Sequence, residues 1–403
     1  MNILLATYWI LPHVGGVDTY LRTLKQGLEE RGHQVDLLGH HPDMSRVHLL
    51  DDKKSVEKKP IHLPVYDILM DYFDREFPLL DHWARYRLIE RHVFEMATVM
   101  LELNQYDLVH TQDIISSRAL SRVIPKHIPH VATIHGMIHD EFVLTGEIDQ
   151  ADSMRWKYSY LEEKLGCSSA DATILPTEWL RREFTNRFSV APEKLTVVPY
   201  GLQAEAIAQQ TDAIQHIPRS DGKQVIICPA RLVPYKGQRY LIEALAKLAR
   251  VRDDFVCQFA GEGPDRTELE ALVGQHNLDH HIEFLGNRSD IFHLLKQASI
   301  FVLPSLVENH SLAIMEAQII GLPIVTTRVG GNAELVSHHH TGLLVEPQNS
   351  DELFQALLML MNNKTLREKL SHDARRWARK YWRHDFMVNR TLEVYEQVRL
   401  HKK

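Results

Sequence analysis

Two glutamates eight residues apart, Glu308 and Glu316, stand in the run Ser305 to Ala317, which follows the apolar stretch Ile300 to Leu303. The run enters a helical pattern that ends at Gly321, before Pro323. A helix entered at His310 to Leu312 offers free backbone N–H groups and the positive end of its dipole, the equipment that holds a phosphate. Asn309, His310, Ser311 and Leu312 are therefore candidate ligand contacts. A carboxylate one turn inside such a helix repels a diphosphate unless it is aimed at neutral hydroxyls, so Glu316 reads as a ribose ligand. By the same logic Glu308, in the loop, meets hydroxyls of a bound sugar. Taken alone, this spacing equally fits a solvated helix face.

Two cations leave another predicted strand end. Pro229 to Gly237 follows Gln224 to Cys228 and carries Arg231 and Lys236. A planar donor fork and a mobile ammonium together neutralise about two negative charges on a diphosphate, which matters most where a leaving group gains charge. Two surface cations in a turn are the plainer alternative. Pro12-His13-Val14-Gly15-Gly16-Val17 follows the first apolar run; glycines at 15 and 16 let backbone N–H groups approach a phosphate, and a simple tight turn explains them as well. It is not G-x-G-x-x-G and gives no support to a dinucleotide cofactor. His135 ends the run Thr133 to Gly136 and is placed either to bond a sugar hydroxyl or to serve the core.

The elements that must position these residues are short apolar runs alternating with helical patterns, the signature of parallel sheets wrapped by helices. Predicted strands are 2–7, 34–38, 108–111, 130–134, 172–175 and 195–199, then 224–228, 254–260, 282–284, 300–303 and 323–326. A helix is expected over Val17 to Glu30, closed by Gly32. With 403 residues the chain exceeds one core, and the rhythm restarts after a Pro- and Gly-interrupted stretch near 198–221, read as a linker. Two lobes imply a cleft. One last helix over about His372 to Arg399 carries Trp377, Tyr381, Trp382 and Tyr395 and must dock. The segment Ile68 to Leu103, broken by Pro78, is amphipathic with charges of both signs, which favours packing over a membrane surface.

A formal net charge of -7 gives no general attraction to nucleic acid or anionic lipid. Three cysteines without a C-x-x-C pair support neither a disulfide framework nor a zinc site, and a reducing cytoplasm fits them. The run from Met1 to Pro12 has no basic flank and reads as a strand rather than a signal; no stretch is long enough to span a bilayer. Adjacent His338, His339 and His340 on a loop do not converge on one ion, and Arg181 to Arg187 reads as a solvated helix face.

Gly15-Gly16, His135, Arg231 with Lys236, Glu308 to Glu316, Gly330-Gly331-Asn332-Ala333-Glu334 and Thr341 to Val345, in that order, resemble the retaining glycosyltransferases of family 4. The crossing Val197 to Gly201 and the run Phe259 to Pro264 are similar to that family's hinge and donor-domain patterns. The resemblance implies an α/β chain of GT-B fold: two Rossmann-like, doubly wound parallel-sheet domains facing a central cleft. The expected division is 1–198 plus 375–403 for the acceptor side and 199–374 for the nucleotide-sugar side, with Trp377 to Trp382 at the crossing.

It further implies that Arg231 and Lys236 hold the diphosphate, aided by the amides of Gly16, Ser311 and Leu312. Glu316 takes the ribose, Glu308 and His135 the donor sugar, and Gly286-Asn287-Arg288 the base. Transfer to an acceptor hydroxyl retains the anomeric configuration and uses neither metal nor cofactor beyond the nucleotide-sugar co-substrate. Partners are that donor and a glycan, lipid-linked or small-molecule acceptor, with at most peripheral membrane contact. Where the family often has Gly-Phe-Gly after the first glutamate, this chain has Asn309-His310-Ser311, which marks His310 as a specificity feature. A nucleotide-sugar-binding protein without catalysis, and an epimerase or phosphorylase of the same architecture, are the competing readings.

Overall fold

A computed structural model describes residues 1–13, 15–50, 54–217 and 219–402. Val14 of the glycine turn and Pro218 of the expected linker lie outside the described residues. The chain divides into two compact units, Met1–Tyr200 with His384–Lys403, and Gly201–Arg383.

In the first unit the strands are β1 (Asn2–Ile10), β2 (Gln34–His40), β3 (Arg46–Leu49), β4 (Ser55–Glu57), β5 (Leu108–Thr111), β6 (His130–Thr133), β7 (Ala172–Leu175) and β8 (Leu195–Val197). They form one sheet in the order β4-β3-β2-β1-β5-β6-β7-β8, parallel except for the pairs β2/β3 and β3/β4. The second unit contributes β9 (Gln224–Cys228), β10 (Phe255–Phe259), β11 (Ile282–Phe284), β12 (Ile300–Leu303), β13 (Ile324–Thr327) and β14 (Leu343–Val345). Their order is β11-β10-β9-β12-β13-β14, parallel throughout. Ile300-Phe301-Val302-Leu303 is apolar at every position because both faces of a central parallel strand are covered, and all four residues are buried.

The chain order reverses between β1 and β5 in one sheet and between β9 and β12 in the other. At such a reversal the connecting segments part to opposite sides and leave a crevice outside the carboxyl ends of the strands. Gly15 and Gly16 follow β1, Arg231 and Lys236 follow β9, and Glu308 follows β12, all beside these points; His135 follows β6, one strand removed, and Gly286 to Arg288 follow β11, two removed.

Three expectations need correction. The stretch read as a plain linker contains a helix, Ala204–Asp212, whose Ala204, Ala208 and Thr211 are buried. The single terminal helix is two, Lys364–Tyr381 and His384–His401, split at Trp382 and Arg383. The break has a physical cause: Trp382 gives its carbonyl to the Leu202 N–H at 2.9 Å and its indole N–H to Gln318 at 2.5 Å, both outside the helix. Residues 375–383 consequently belong to the second unit, and the return begins at His384. The antiparallel strands β3 and β4 carry no strong apolar run and were not expected.

The helix His384–His401 is bound tightly into the first unit. A Cβ on Gly27 would lie 2.4 Å from Val388, so only glycine lets the helix Gly16–Glu29 approach that closely. Tyr395 is fully buried, its hydroxyl 2.7 Å from Nδ1 of His110, whose Nε2 lies 2.7 Å from Thr133. The segment Ile68 to Leu103 is mostly two helices, Lys59–Glu76 and His82–Val99, with Pro78 between them. No helix among the described residues is long and apolar enough to cross a membrane.

Buried histidines set a pH limit on the first unit. Burial lowers His40 and His130 to about 4 and His135 to about 3, and holds His110 well below its usual value. Below pH about 6.5 the unfolded chain therefore binds more protons than the folded one, so their contribution is complete above 6.5 and drains away as pH falls towards 4. Glu163, pushed up to about 8 by burial, acts oppositely, its contribution being lost as pH rises from 4.5 to 8. Asp113, also raised by burial, acts like Glu163, and the four imidazoles outnumber these two carboxyls. Calorimetry of the intact chain should show the first unit's melting temperature dropping by about 5 °C or more between pH 6.5 and 4, less in His130→Asn. A flat profile would contradict this.

Candidate active site

The loop after β9 and the loop after β12 are built into each other. Gly237 has φ +68, and a Cβ there would stand 2.2 Å from the carbonyl oxygen of Pro304. The Leu306 N–H donates to the Tyr235 carbonyl at 2.7 Å. Gln238 donates to the Arg231 carbonyl at 2.8 Å, and the Leu232 N–H to the Glu262 carbonyl at 3.0 Å. On the far side, Gly261 and Gly263 fit where a Cβ would lie 2.1 Å from the carbonyls of Ala230 and Leu232. The glycines of the run Phe259 to Pro264 are thus explained by backbone packing against the cation-bearing loop.

This packing brings charges together. Lys236 Nζ lies 2.7 Å from Oε2 of Glu308, which also accepts from Ser305 Oγ at 3.2 Å. The guanidinium of exposed Arg231 donates to the Tyr235 hydroxyl, and both cations stand 5.8 Å from the centre of the Tyr235 ring. The loop after β12 is fixed from its other side too. Thr327 donates to the Ser305 carbonyl at 2.5 Å, Gly331 N–H to the Glu308 carbonyl at 3.3 Å, and Asn332 to Thr326 and the Thr327 carbonyl, each at 3.1 Å. Gly330 to Glu334 thereby acts as a brace behind Glu308.

Ser311 caps the helix Leu312–Ile320, accepting from the Ile314 N–H at 3.4 Å, and Gly321 at φ +86 closes it. Glu316 is half-buried, and loss of hydration pushes its carboxyl up to about 7. A group titrating there is half neutral at physiological pH, which lessens the repulsion an anion on the same helix end would meet. His310 is buried, lowered to about 3, and its ring meets that of Trp382 edge-on at 5.5 Å. Asn309 and Ser311 are buried beside it. His310 is therefore neutral, with one face against Trp382. Gly286 has φ +67 beside the Glu262 carboxylate; Asn287 is exposed, and Arg288 makes a two-pronged contact with Asp290, Nε at 2.8 Å and Nη2 at 2.7 Å.

Gly15, Gly16 and His135 belong to the first unit. Gly15 precedes the helix Gly16–Glu29, its carbonyl accepting from the Thr19 N–H at 3.1 Å. Asp18, in that first turn, pairs with Arg22 at 2.5 Å. Both ring nitrogens of His135, expected either to bond a sugar hydroxyl or to serve the core, have partners within the first unit. Its Nδ1 meets the Tyr200 hydroxyl and its Nε2 lies 3.3 Å from Oε1 of Gln112. Since that oxygen accepts, Nε2 carries the hydrogen, and a sugar hydroxyl must take the place of Gln112 to reach the ring. Tyr20 packs on the ring edge-on at 4.8 Å.

Sequence reasoning missed Tyr235, which faces both cations, and Trp382 with Gln318, which back His310. Tyr235 sits inside the quoted loop, so its position was readable and its role was not. Among the described residues no cluster of three or more His, Cys, Asp or Glu is placed to hold a metal ion.

Residues 14–206 match the family model described as Glycosyltransferase Family 4, and residues 209–377 the model described as Glycosyl transferases group 1. The chain is 26% identical to MMP alpha-(1->4)-mannosyltransferase of Mycolicibacterium hassiacum, across 98% of each sequence. Its structure is similar to sucrose-phosphate synthase of Thermosynechococcus elongatus, with TM-score 0.75 and 17% identity over 99% of both chains. It is also similar to Anabaena HepE in complex with UDP-glucose, with TM-score 0.69 and 18% identity, covering 98% of this chain and 100% of that one.

If the two loops interlock at Gly237, Gly237→Ala combines an unfavourable φ with a backbone clash and should destabilise the second unit by about 2–4 kcal/mol in urea unfolding. A change within about 0.5 kcal/mol would contradict the interlock.

Proposed function

The chain belongs to the family 4 glycosyltransferases, with the GT-B fold, and from that membership we propose that it is a retaining enzyme using a UDP- or GDP-sugar and an acceptor hydroxyl. The observation that carries this reading is the pairing of Lys236 with Glu308, beside Arg231 and the amino-terminal end of Leu312–Ile320, at the reversal point of a parallel sheet. A diphosphate placed there meets two cations and free helix N–H groups in a crevice that lowers the effective dielectric.

In this reading the second unit takes the donor and the first the acceptor. Entry of the diphosphate exchanges the Glu308 carboxylate for phosphate oxygens around Lys236, freeing Glu308 for hydroxyls of the donor sugar. Glu316 contacts the ribose. The bond between the anomeric carbon and the phosphate oxygen breaks while the acceptor oxygen bonds to that carbon on the same face. The departing phosphate takes the acceptor's proton, and Arg231 and Lys236 stabilise the charge that grows on it. No metal or further cofactor takes part. The product belongs to glycan, glycolipid or cell-surface polysaccharide synthesis in the cytoplasm, with at most peripheral contact with the membrane.

Lys236→Ala should lower kcat by about 10²–10³ with a smaller effect on acceptor KM, since the lost interaction strengthens only as the leaving group departs. Unchanged kcat in the folded variant would remove Lys236 from the mechanism. The second test is electrostatic. A bound diphosphate raises the Glu316 carboxyl further, so binding takes up a proton and donor affinity falls as pH rises through about 7. Calorimetric titration with UDP-glucose, whose phosphates do not titrate between pH 6 and 8.5, should show that decline, and Glu316→Gln should abolish it. Affinity independent of pH in the wild type would count against placing Glu316 at the nucleotide.

A further inference from the structure

A cavity of about 70 Å³ opens at the carboxyl edge of the first sheet, bounded by Tyr8 at the end of β1, Ile114 after β5 and His139 after β6. On the scale of about 10–15 Å³ per water it holds ~5 waters, or one edge of a ring and its hydroxyls.

Its most telling atom is Nε2 of His139. The ring is 1% exposed and its Nε2 is buried without a hydrogen-bond partner. The tautomer is fixed by its neighbour. Ser159 Oγ donates to the Trp156 carbonyl at 3.0 Å and so accepts from Nδ1–H of His139 at 2.6 Å. Nε2 is left as a bare acceptor. Burial first, and then the Arg187 charge, lower the ring's affinity for a proton, so it stays neutral. A buried acceptor without a donor is destabilising, and a ligand hydrogen would recover that loss.

The rest of the wall says what carries that hydrogen. The guanidinium of Arg87 lies 4.2 Å from the Trp83 ring and 4.1 Å from that of Phe142, pairs with Glu147 at 2.9 Å, and keeps a buried Nε–H without a partner. The other charges are matched inside the wall, Arg91 with Glu162 at 2.7 Å and Lys58 with Glu90 at 2.9 Å. Tyr8 and Tyr158 contribute phenols that burial keeps protonated. A phosphate or carboxylate brings no hydrogen for Nε2 and faces Glu90 and Glu162; an ammonium faces Arg87 and Arg91. A hydroxyl suits either orphan, since it can donate to an acceptor or accept from an N–H, and the apolar face of a sugar ring packs on aromatic rings.

The geometry points to this cavity as a subsite for a neutral, hydroxyl-bearing group, a sugar or cyclitol edge, whose hydroxyl donates to His139 Nε2. The inference rests on the proposed function in that the group belongs to the acceptor. His139 binds and orients it, four residues after His135, and transfers no proton.

Saturation-transfer NMR on the full chain tests it with myo-inositol and methyl α-D-glucopyranoside as neutral probes and glycerol 3-phosphate as the anionic one. The neutral probes should receive saturation and the anion little. Their affinity should fall about tenfold or more in His139→Leu, the value of one buried hydrogen bond. Because that variant alters a buried ring, Tyr158→Leu, which strips an aromatic wall, serves as the second and should weaken the same probes. Preference for glycerol 3-phosphate, no saturation of either polyol, or unaltered polyol binding in both variants would overturn the assignment. Thermal stabilisation by UDP is measured alongside. If it persists while the polyols fail, the inference alone falls; if the wild type is not stabilised by UDP, the proposed function falls and the inference with it.

Discussion

Lys236 and Glu308 stand 2.7 Å apart although 72 residues separate them, and the second unit is arranged to keep them there. The pair exists because β9 and β12 are neighbours at the reversal of the sheet and because Gly237 lets one loop ride over the carbonyl of Pro304. Neither side chain is deeply buried, so the pair gains modest energy in its own right. Its value lies in what it holds ready. The ammonium is held by a carboxylate, and in the proposed function the entering diphosphate takes that carboxylate's place and releases it beside the space the anion has entered. Gly331 holds the Glu308 carbonyl and Thr327 that of Ser305, so the proposed exchange is one of side chains on a fixed backbone.

The two sheets use the same topological device for different chemistry. At β9/β12 the ends of the strands carry cations, carboxylates and a helix amino terminus, suited to an anion with hydroxyls attached. At β1/β5 and the adjoining β6 they carry neutral imidazoles and phenols. His135 is held to about 3 by burial, and His139 is neutral with a fixed tautomer. Such groups exchange hydrogen bonds with hydroxyls and offer little to a phosphate. The division of labour proposed for the two units rests on these side chains.

Much of this was legible in the sequence because the signals were local. Ile300 to Leu303 is apolar at every position and can only be a buried strand; Ser311 and Gly321 mark the ends of the helix that follows it; both cations stand directly after a strand. What was hidden depends on partners distant in sequence. Nothing near His135 announces Tyr200 and Gln112, which occupy its ring. The terminal helix reads as unbroken because neither a glycine nor a proline near Trp382 marks a stop. Its break is imposed by Leu202 and Gln318, about 180 and 64 residues away. His139, four residues after His135 and without an H-E-x-x-H pattern, carries no legible role for the same reason, since the accepting state of Nε2 is set by Ser159 twenty residues on.

A crystal structure of the chain with UDP-glucose bears most directly on whether the anion displaces the carboxylate. The account predicts diphosphate oxygens within hydrogen-bond distance of Lys236 Nζ, the Arg231 guanidinium and an amide of Ser311 or Leu312, with the Lys236–Glu308 contact opened. A diphosphate bound elsewhere, with Lys236 still on Glu308 at its present distance, would contradict it.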